Sequence, residues 1–249
     1  MSKQIATSSI VNLENSAQSL SDAATLIIID DQSGVAKILM GRRRYDQVFM
    51  PGKFVFPGGR VDMDDCAVDS VDDLAEEEML KLLYDMKGLP GKSWARAIAL
   101  AGIREAFEET GIIIGQKTNK IIDIKASGWK VFFNSGYQPV LSQLRFFARA
   151  VTPPGQPRRY DTRFFCVSAR EISISTGLCD NELSDLGWFT ISEALNLDLP
   201  LITRFILENL RAYLSEGPLS AVRYTAPYYS SQNGNMQREL IDISQSRLS

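Results

Sequence analysis

Three glutamates close together in the chain are the residues best placed to do chemistry. Glu105, Glu108 and Glu109 are three and four positions apart, a spacing that brings side chains together on one face of a helix. Carboxylates held this close repel one another and are stabilised by a cation, and hard oxygen ligands favour Mg²⁺ or Mn²⁺. Most glutamate-rich helical stretches are solvated acidic faces, so the triplet needs support from the residues around it.

The composition narrows the chemistry that this chain can perform. Its 249 residues include no histidine, which excludes Ser-His-Asp and Cys-His nucleophile systems and every histidine-ligated metal site. The three cysteines lack CxxC spacing and are expected to be reduced thiols. A formal charge of −3 argues against a nucleic-acid partner. Catalysis is left to carboxylates, lysine, arginine or a metal ion.

The chain shows no feature of a membrane or secreted protein. The first twenty residues contain Ser, Asn and Gln and lack the apolar core of a signal peptide. No later stretch is long and apolar enough to span a bilayer. We therefore expect a cytoplasmic protein without a membrane partner.

A sequence motif supports a catalytic reading of the three glutamates. The run Arg104 to Ile112 reads Arg-Glu-Ala-Phe-Glu-Glu-Thr-Gly-Ile and resembles the second half of the Nudix hydrolase signature, G-x5-E-x7-R-E-U-x-E-E-x-G-U, where U is apolar. The Phe-Pro-Gly-Gly run that ends at Gly59 resembles the first half, and Asp65 stands where the family has glutamate. Between Asp65 and Arg104 lie 38 residues instead of seven, which indicates an insertion of 31 residues.

The insertion also points to one branch of the family. A long insert at this place is similar to the branch that includes the mammalian peroxisomal coenzyme A diphosphatase, and the stretch from Val151 to Phe165 resembles that branch too. The resemblance covers roughly residues 23–215. It implies an α/β fold, namely a Nudix-type α/β/α sandwich with a mixed β-sheet and a helical insert inside the Nudix box.

The resemblance implies an activity with several open alternatives. The expected enzyme is a metal-dependent hydrolase that cleaves the diphosphate linkage of a nucleoside diphosphate derivative, with coenzyme A or acyl-coenzyme A favoured. ADP-ribose and NADH are alternative substrates. A Nudix-fold module that senses nucleotides without cleaving them is an alternative function, but such a module is expected to lose box carboxylates, and all three are present here. Family habit also suggests a homodimer.

The resemblance assigns roles in a Mg²⁺ or Mn²⁺ site. Glu108 and Glu109 are expected to bind the metal together with the backbone carbonyl of Gly59. Glu105 is expected to be a further ligand or the general base. Glu182, in an acidic loop before the last strand, competes with it as the base.

Arginines complete the predicted site. Arg104 is expected to hold the glutamates by ion pairing, with its own partner either Asp65 or, as a substitute, Asp62. Arg42 and Arg44, in an arginine run after a predicted strand, are expected to bind a substrate phosphate, which suits the guanidinium group.

Arg163 lies inside an otherwise apolar predicted strand. Burying an unpaired charge is costly, so this side chain must meet either a carboxylate or a substrate phosphate. We keep it among the substrate-binding candidates.

The elements that must position these residues follow from periodicity. We divide the chain into a flexible arm (1–21), a Nudix domain (22–215) with a helical insert (66–92), and a tail (216–249). The box helix is predicted to begin with Ser93 as its N-cap and to end at Gly111 in the left-handed conformation. The other predicted elements are strands at 23–30, 35–40, 53–56, 112–124, 143–150 and 162–168, and helices at 71–86, 191–195 and 200–214.

Overall fold

A computed structural model describes residues 19–86, 91–119, 127–177, 179–180, 182–217, 224–232 and 234–243. The elements in chain order are β1 (Leu20–Asp30), β2 (Lys37–Arg43), β3 (Phe54–Val55), β4 (Gly58–Arg60), α1 (Glu76–Leu83), α2 (Lys92–Thr110), β5 (Ile112–Lys117), α3 (Ser127–Asn134), β6 (Tyr137–Pro139), β7 (Arg145–Val151), β8 (Arg159–Ser168), β9 (Ile172–Ser175), β10 (Leu183–Thr190), α4 (Ile191–Ala194), α5 (Leu201–Glu216), β11 (Pro227–Gln232) and β12 (Asn235–Leu240).

A mixed sheet forms the centre of the fold. Its strand order is β10-β2-β1-β8-β7-β11-β12, with β3 on β2 and β4 on β1, and a smaller sheet has the order β6-β5-β9. The central strand β1 is antiparallel to β2 and parallel to β8. Its residues from Leu26 to Ile29 are all buried, as a β-branched run covered on both faces requires.

Helices cover both faces of this sheet. Side chains alternate along β1, so Leu26 and Ile28 join the core cluster of α2, whereas Ile27 and Ile29 join that of α5. Gly102 of α2 packs over β1, where an added Cβ would lie 3.4 Å from the Cβ of Ala24. The predicted α/β/α sandwich with a mixed sheet is confirmed.

The box helix ends as predicted and begins differently. Gly111 closes α2 with φ 71° and donates its N–H to the carbonyl of Phe107. Ser93 is not the N-cap; it is the second residue of the helix, and Gly91 precedes the first. The helix begins earlier because Gly91 adopts a φ of 144°, a backbone conformation that favours glycine. The first helical residue is then Lys92.

The insert contains a shorter helix than the predicted 71–86, because its two ends have other partners. Before α1, the carboxylate of Asp72 accepts the N–H of Leu141 at 2.7 Å. After α1, Asp85 adopts a positive φ of 44°, and its carbonyl accepts a hydrogen bond from Arg149. Residues 87–90 lie outside the described part of the chain.

Both chain ends add to the sheet beyond the predicted domain of 22–215. Strand β1 starts at Leu20, which is aligned with Arg159 of β8, so the last residues of the predicted arm belong to the sheet. At the other end, β11 lies parallel to β7 and β12 antiparallel to β11, so the predicted tail contributes two strands. Residues 1–18 lie outside the described residues. Within the part that the structure describes, no helix is long and apolar enough to cross a membrane.

Candidate active site

One buried guanidinium organises the carboxylates of the site. Arg104 is 4% exposed. Its Nη1 donates to Glu105 at 2.8 Å and to Glu108 at 3.0 Å, while Nη2 donates to the carbonyl of Arg60 at 2.9 Å. Its Nε and Nη2 donate to the two carboxylate oxygens of Asp65 at 2.8 and 3.1 Å. Three carboxylates therefore share one cation, and Arg104 holds two of the glutamates as the motif predicts.

Asp65 serves as the partner of Arg104 despite the insertion. Its carboxylate is fully buried, and it also accepts the indole N–H of Trp129 at 2.8 Å and the backbone N–H of Asp62 at 2.8 Å. The proposed substitute, Asp62, lies 4.0 Å from Arg104 with a half-exposed side chain. The short side chain of Asp65 thus reaches the arginine, and Asp62 does not replace it.

Glu109 is the most deeply placed of the three glutamates. It is 2% exposed, and one carboxylate oxygen accepts the N–H of Gly58 at 2.9 Å. Burial raises the pKa of the Glu109 carboxyl well above its ordinary value, and the negative charge of Glu105 raises it further. Arg43 opposes this shift. A positive charge nearby would therefore stabilise the ionised form of the Glu109 carboxyl.

Glu105 lies against the glycine pair at β4. Burial raises the pKa of the Glu105 carboxyl to about 7, although Arg104 opposes the shift. A Cβ added at Gly59 would lie 2.3 Å from the carboxylate carbon of Glu105. The backbone of Gly59 therefore lies against the carboxylate of Glu105.

Two acids of the loop before β10 lie near the glutamates. The negative charge of Glu182 raises the pKa of Glu105, and that of Asp180 raises the pKa of both Glu108 and Glu109. The N–H of Asp180 donates to the carbonyl of Glu108 at 2.8 Å, which ties the loop to the end of α2. Sequence reasoning selected Glu182 and missed Asp180, whose signal was its place in the same acidic stretch.

The arginine run places a different residue at the site from the two that were predicted. Arg42 pairs with Asp185 at 3.1 Å, and the exposed Arg44 pairs with Asp46 at 2.7 Å. Arg43 lines a cavity next to Gly58. Neither Arg42 nor Arg44 is among the described residues that line this cavity.

Arg163 has the carboxylate partners that a buried charge needs. Its side chain is completely buried. Nη1 donates to Asp22 and lies 3.2 Å from the carboxylate of Asp161. Of the two alternatives for this arginine, the structure has the ion pair.

A cavity adjoins Gly58, whose N–H donates to Glu109, and it has a volume of about 370 Å³. Its lining is mainly apolar and aromatic, with Arg43 and Gly58 on the side of the glutamates. Phe49 and Tyr160 form part of the wall, and their rings meet edge to face with centroids 5.3 Å apart. Among the described residues that line it there is no acidic side chain. Such a cavity suits an organic group attached to a phosphate.

The donor set fits a hard divalent cation in chemical type. Glu105, Glu108 and Glu109 supply carboxylate oxygens, and Gly59 leaves space beside the first of them. Burial raises the pKa of all three carboxyls, so a cation beside them would favour their ionised forms. Within the described residues, no group of three or more His, Cys, Asp or Glu is arranged to hold a metal ion as it stands.

Comparisons with known proteins relate this geometry to a fold. A Nudix hydrolase from Alicyclobacillus acidocaldarius is 26% identical with a TM-score of 0.58, over 78% of this chain and 92% of that one. An Ap4A hydrolase from C. elegans is 16% identical with a TM-score of 0.40, over 78% of this chain and 99% of that one. The Nudix domain of Shewanella oneidensis NrtR, in complex with ADP ribose, is 11% identical with a TM-score of 0.44, over 79% of this chain and 90% of that one.

No protein-family model matches the chain, and no curated protein matches it. The likeness to the bacterial Nudix hydrolase extends over nearly the whole of that enzyme. Nudix hydrolases generally use divalent metals. The chain has the Nudix fold, and the comparison is consistent with an enzyme of the Nudix hydrolase class.

Proposed function

We propose that this enzyme is a metal-dependent diphosphatase that hydrolyses a nucleoside diphosphate derivative, with coenzyme A or an acyl-coenzyme A as substrate. The observation that carries the proposal is the pairing of Arg104 with Glu105 and Glu108, beside the buried Glu109 and next to a cavity that contains Arg43. This arrangement supports a site at which carboxylates would bind a cation and a guanidinium would bind a phosphate.

The cation in this proposal is Mg²⁺ or Mn²⁺. When bound, it would neutralise phosphate oxygens and lower the pKa of an attacking water. Glu108, Glu109 and the carbonyl of Gly59 would hold it. Arg104 keeps the carboxylates of Glu105 and Glu108 together through its Nη1.

The proton of the attacking water needs an acceptor. Arg104 engages one carboxylate oxygen of Glu105 and leaves the other for a proton or a cation. A pKa of about 7 suits a group that accepts a proton near neutral pH. Glu182 is the alternative base, supported by its electrostatic effect on Glu105.

The cavity supports the choice of substrate. Arg43 would bind the diphosphate, and the apolar walls would enclose the organic group, whose water-exposed surface is thereby reduced. The insert and the stretch from Val151 to Phe165 support coenzyme A through the sequence resemblance. ADP-ribose and NADH remain the alternatives within this class.

A homodimer is proposed on the resemblance alone, and light scattering of the purified protein tests it.

The test is a mass-spectrometric product screen. The purified protein is incubated with Mg²⁺ and coenzyme A, acetyl-coenzyme A, ADP-ribose or NADH, and a parallel series contains EDTA. Water should cleave the diphosphate of coenzyme A to give adenosine 3′,5′-bisphosphate and 4′-phosphopantetheine, only with Mg²⁺. Binding without cleavage of any of the four would replace the proposal with a nucleotide-sensing function.

A further inference from the structure

The strand β12 is not explained by packing. It pairs with β11 from Asn235 to Leu240, and each of its six residues is exposed. Hydrophobic stabilisation scales with the apolar area that is buried, so a strand without a buried side chain adds little to the core. The presence of β12 must therefore be explained by something other than core packing.

The hairpin of β11 and β12 forms one wall of the cavity that adjoins Gly58. Tyr229 and Ser230 from β11 and Met236 from β12 line the same cavity as Arg43 and Gly58. A segment at the end of the chain thus reaches the site that the Nudix box forms. A substrate whose phosphates lie at Arg43 would extend toward this wall.

The β11 part of the wall is held firmly. Tyr229 is 4% exposed, its hydroxyl accepts a hydrogen bond from the side-chain amide of Asn209, and its ring stacks on Phe205 with centroids 5.9 Å apart. Its position beside Ala150 is set by the pairing of β11 with β7. The fixed Tyr229 and its neighbours therefore define the shape of this side of the cavity.

The β12 part is different, because Met236 is 41% exposed while it lines the cavity. An exposed methionine loses its contact with water when an apolar group lies against it, and that burial is favourable. The unbranched thioether side chain also adapts to groups of different shape. Met236 is therefore suited to contact a flexible apolar chain at the mouth of the cavity.

The charges in the lining agree with this chemistry. Among the described lining residues, Arg43 is the charged one, and the remaining polar groups are hydroxyls of Thr, Ser and Tyr and the amide of Gln156. The cavity thus offers a cation for a phosphate and an uncharged surface for the remaining part of the substrate. A charged organic group would find no side chain of opposite sign except at Arg43.

We propose that Met236 is a specificity-determining residue, which selects substrates that carry an apolar chain beyond the diphosphate. This inference rests on the proposed function and assigns one part of its substrate choice to a residue outside the Nudix box.

The test compares two substrates that differ only in the apolar chain, coenzyme A and hexanoyl-coenzyme A. The variant Met236→Ser should lower the ratio of kcat/KM for the hexanoyl compound to that for coenzyme A by about tenfold, mainly through KM, since an apolar contact in a pocket discriminates to about this extent. Leu240→Ser is the matched control, because Leu240 is on the same strand, is 50% exposed and is not among the lining residues. An unchanged ratio in Met236→Ser overturns the inference.

Binding separates this inference from the proposed function. Calorimetric titration of both compounds into the wild type and both variants in EDTA measures selectivity without turnover. Wild-type preference for hexanoyl-coenzyme A that is lost in Met236→Ser and kept in Leu240→Ser supports the inference, whether or not Mg²⁺ gives cleavage. A lack of preference in the wild type overturns it. A lack of Mg²⁺-dependent cleavage in the wild type counts against the proposed function alone.

Discussion

Asp65 and Arg104 are 39 positions apart in the chain, and the carboxylate Oδ1 of the first accepts a hydrogen bond from Nε of the second at 2.8 Å. Both side chains are buried. The predicted insert (66–92) lies between these two residues in the chain, so the ion pair joins the segments on its two sides. The insertion is accommodated because the pair, rather than the length of chain between its members, keeps the box together.

Replacement of Asp65 by asparagine should therefore destabilise the protein. The change leaves the guanidinium of Arg104 without its main buried counter-charge, and removal of one partner from a buried ion pair costs about 3 kcal/mol or more. Urea denaturation followed by circular dichroism measures the loss. Asp62→Asn is the control: its carboxylate lies 4.0 Å from Arg104 and is half exposed, so we expect at most about 1 kcal/mol. Equal losses in the two variants would contradict the assignment of Asp65.

Local patterns predicted the parts of the site that lie on one element. The glutamate stripe of α2 and the glycine that ends the helix depend on helical periodicity and on backbone conformation, and both are legible in a short run of residues. Arg43 was missed for the opposite reason. A shift of one residue exchanges the two faces of a strand, so an arginine run after a strand does not reveal which member faces the cavity.

Contacts between distant segments could not be predicted from the sequence. The need of Arg163 for a carboxylate was predictable from its apolar surroundings, but Asp22 was placed at the edge of the arm and its contact with Arg163 required the parallel pairing of β1 with β8. The approach of Met236 to the cavity depends likewise on the pairing of β11 with β7. Neither pairing leaves a periodic signal in the chain.

Glu109→Gln should abolish turnover and leave the fold intact. The change removes one negative charge from the proposed cation site, and a catalytic metal is worth several kcal/mol of transition-state stabilisation, which corresponds to about 10³-fold in kcat. The amide still offers an oxygen to the N–H of Gly58. Steady-state assays with Mg²⁺ measure kcat, and Glu76→Gln, an exposed glutamate of the insert, is the control. Activity within tenfold of the wild type in Glu109→Gln would show that the site is wrongly assigned.

The stability of the metal-free protein should fall as the pH rises through neutrality. The folded-state pKa of Glu105 is raised to about 7 from an ordinary value of 4.5. The contribution of this carboxyl is therefore fully present below about pH 4.5 and is lost as the pH rises through about 7, by on the order of 3 kcal/mol. Denaturation in EDTA at pH 5 and pH 8 measures the difference.

Glu105→Gln should make this dependence shallower, because the amide does not ionise. It should also be more stable than the wild type at pH 8 in EDTA. Glu76→Gln should keep the wild-type dependence. If Glu105→Gln and the wild type lose the same free energy of unfolding between the two pH values, Glu105 is not the group responsible.

Arg43 and Arg44 should differ sharply in their effect on substrate binding. Arg43 lines the cavity and donates through Nε to the carbonyl of Phe49 at 3.0 Å, whereas Arg44 is exposed and pairs with Asp46. A hydrogen bond to a charged group contributes about 1.5–3 kcal/mol, so Arg43→Ala should raise KM by about 10-fold or more. Arg44→Ala should leave KM within about twofold, because exposed ion pairs contribute little.

A third variant, Arg43→Lys, keeps the charge but loses the planar guanidinium, and we expect its KM to lie between those of the wild type and Arg43→Ala. Initial-rate measurements over a range of substrate concentrations give the KM values, and a larger effect at Arg44 than at Arg43 would return the phosphate contact to the residue that the sequence first indicated.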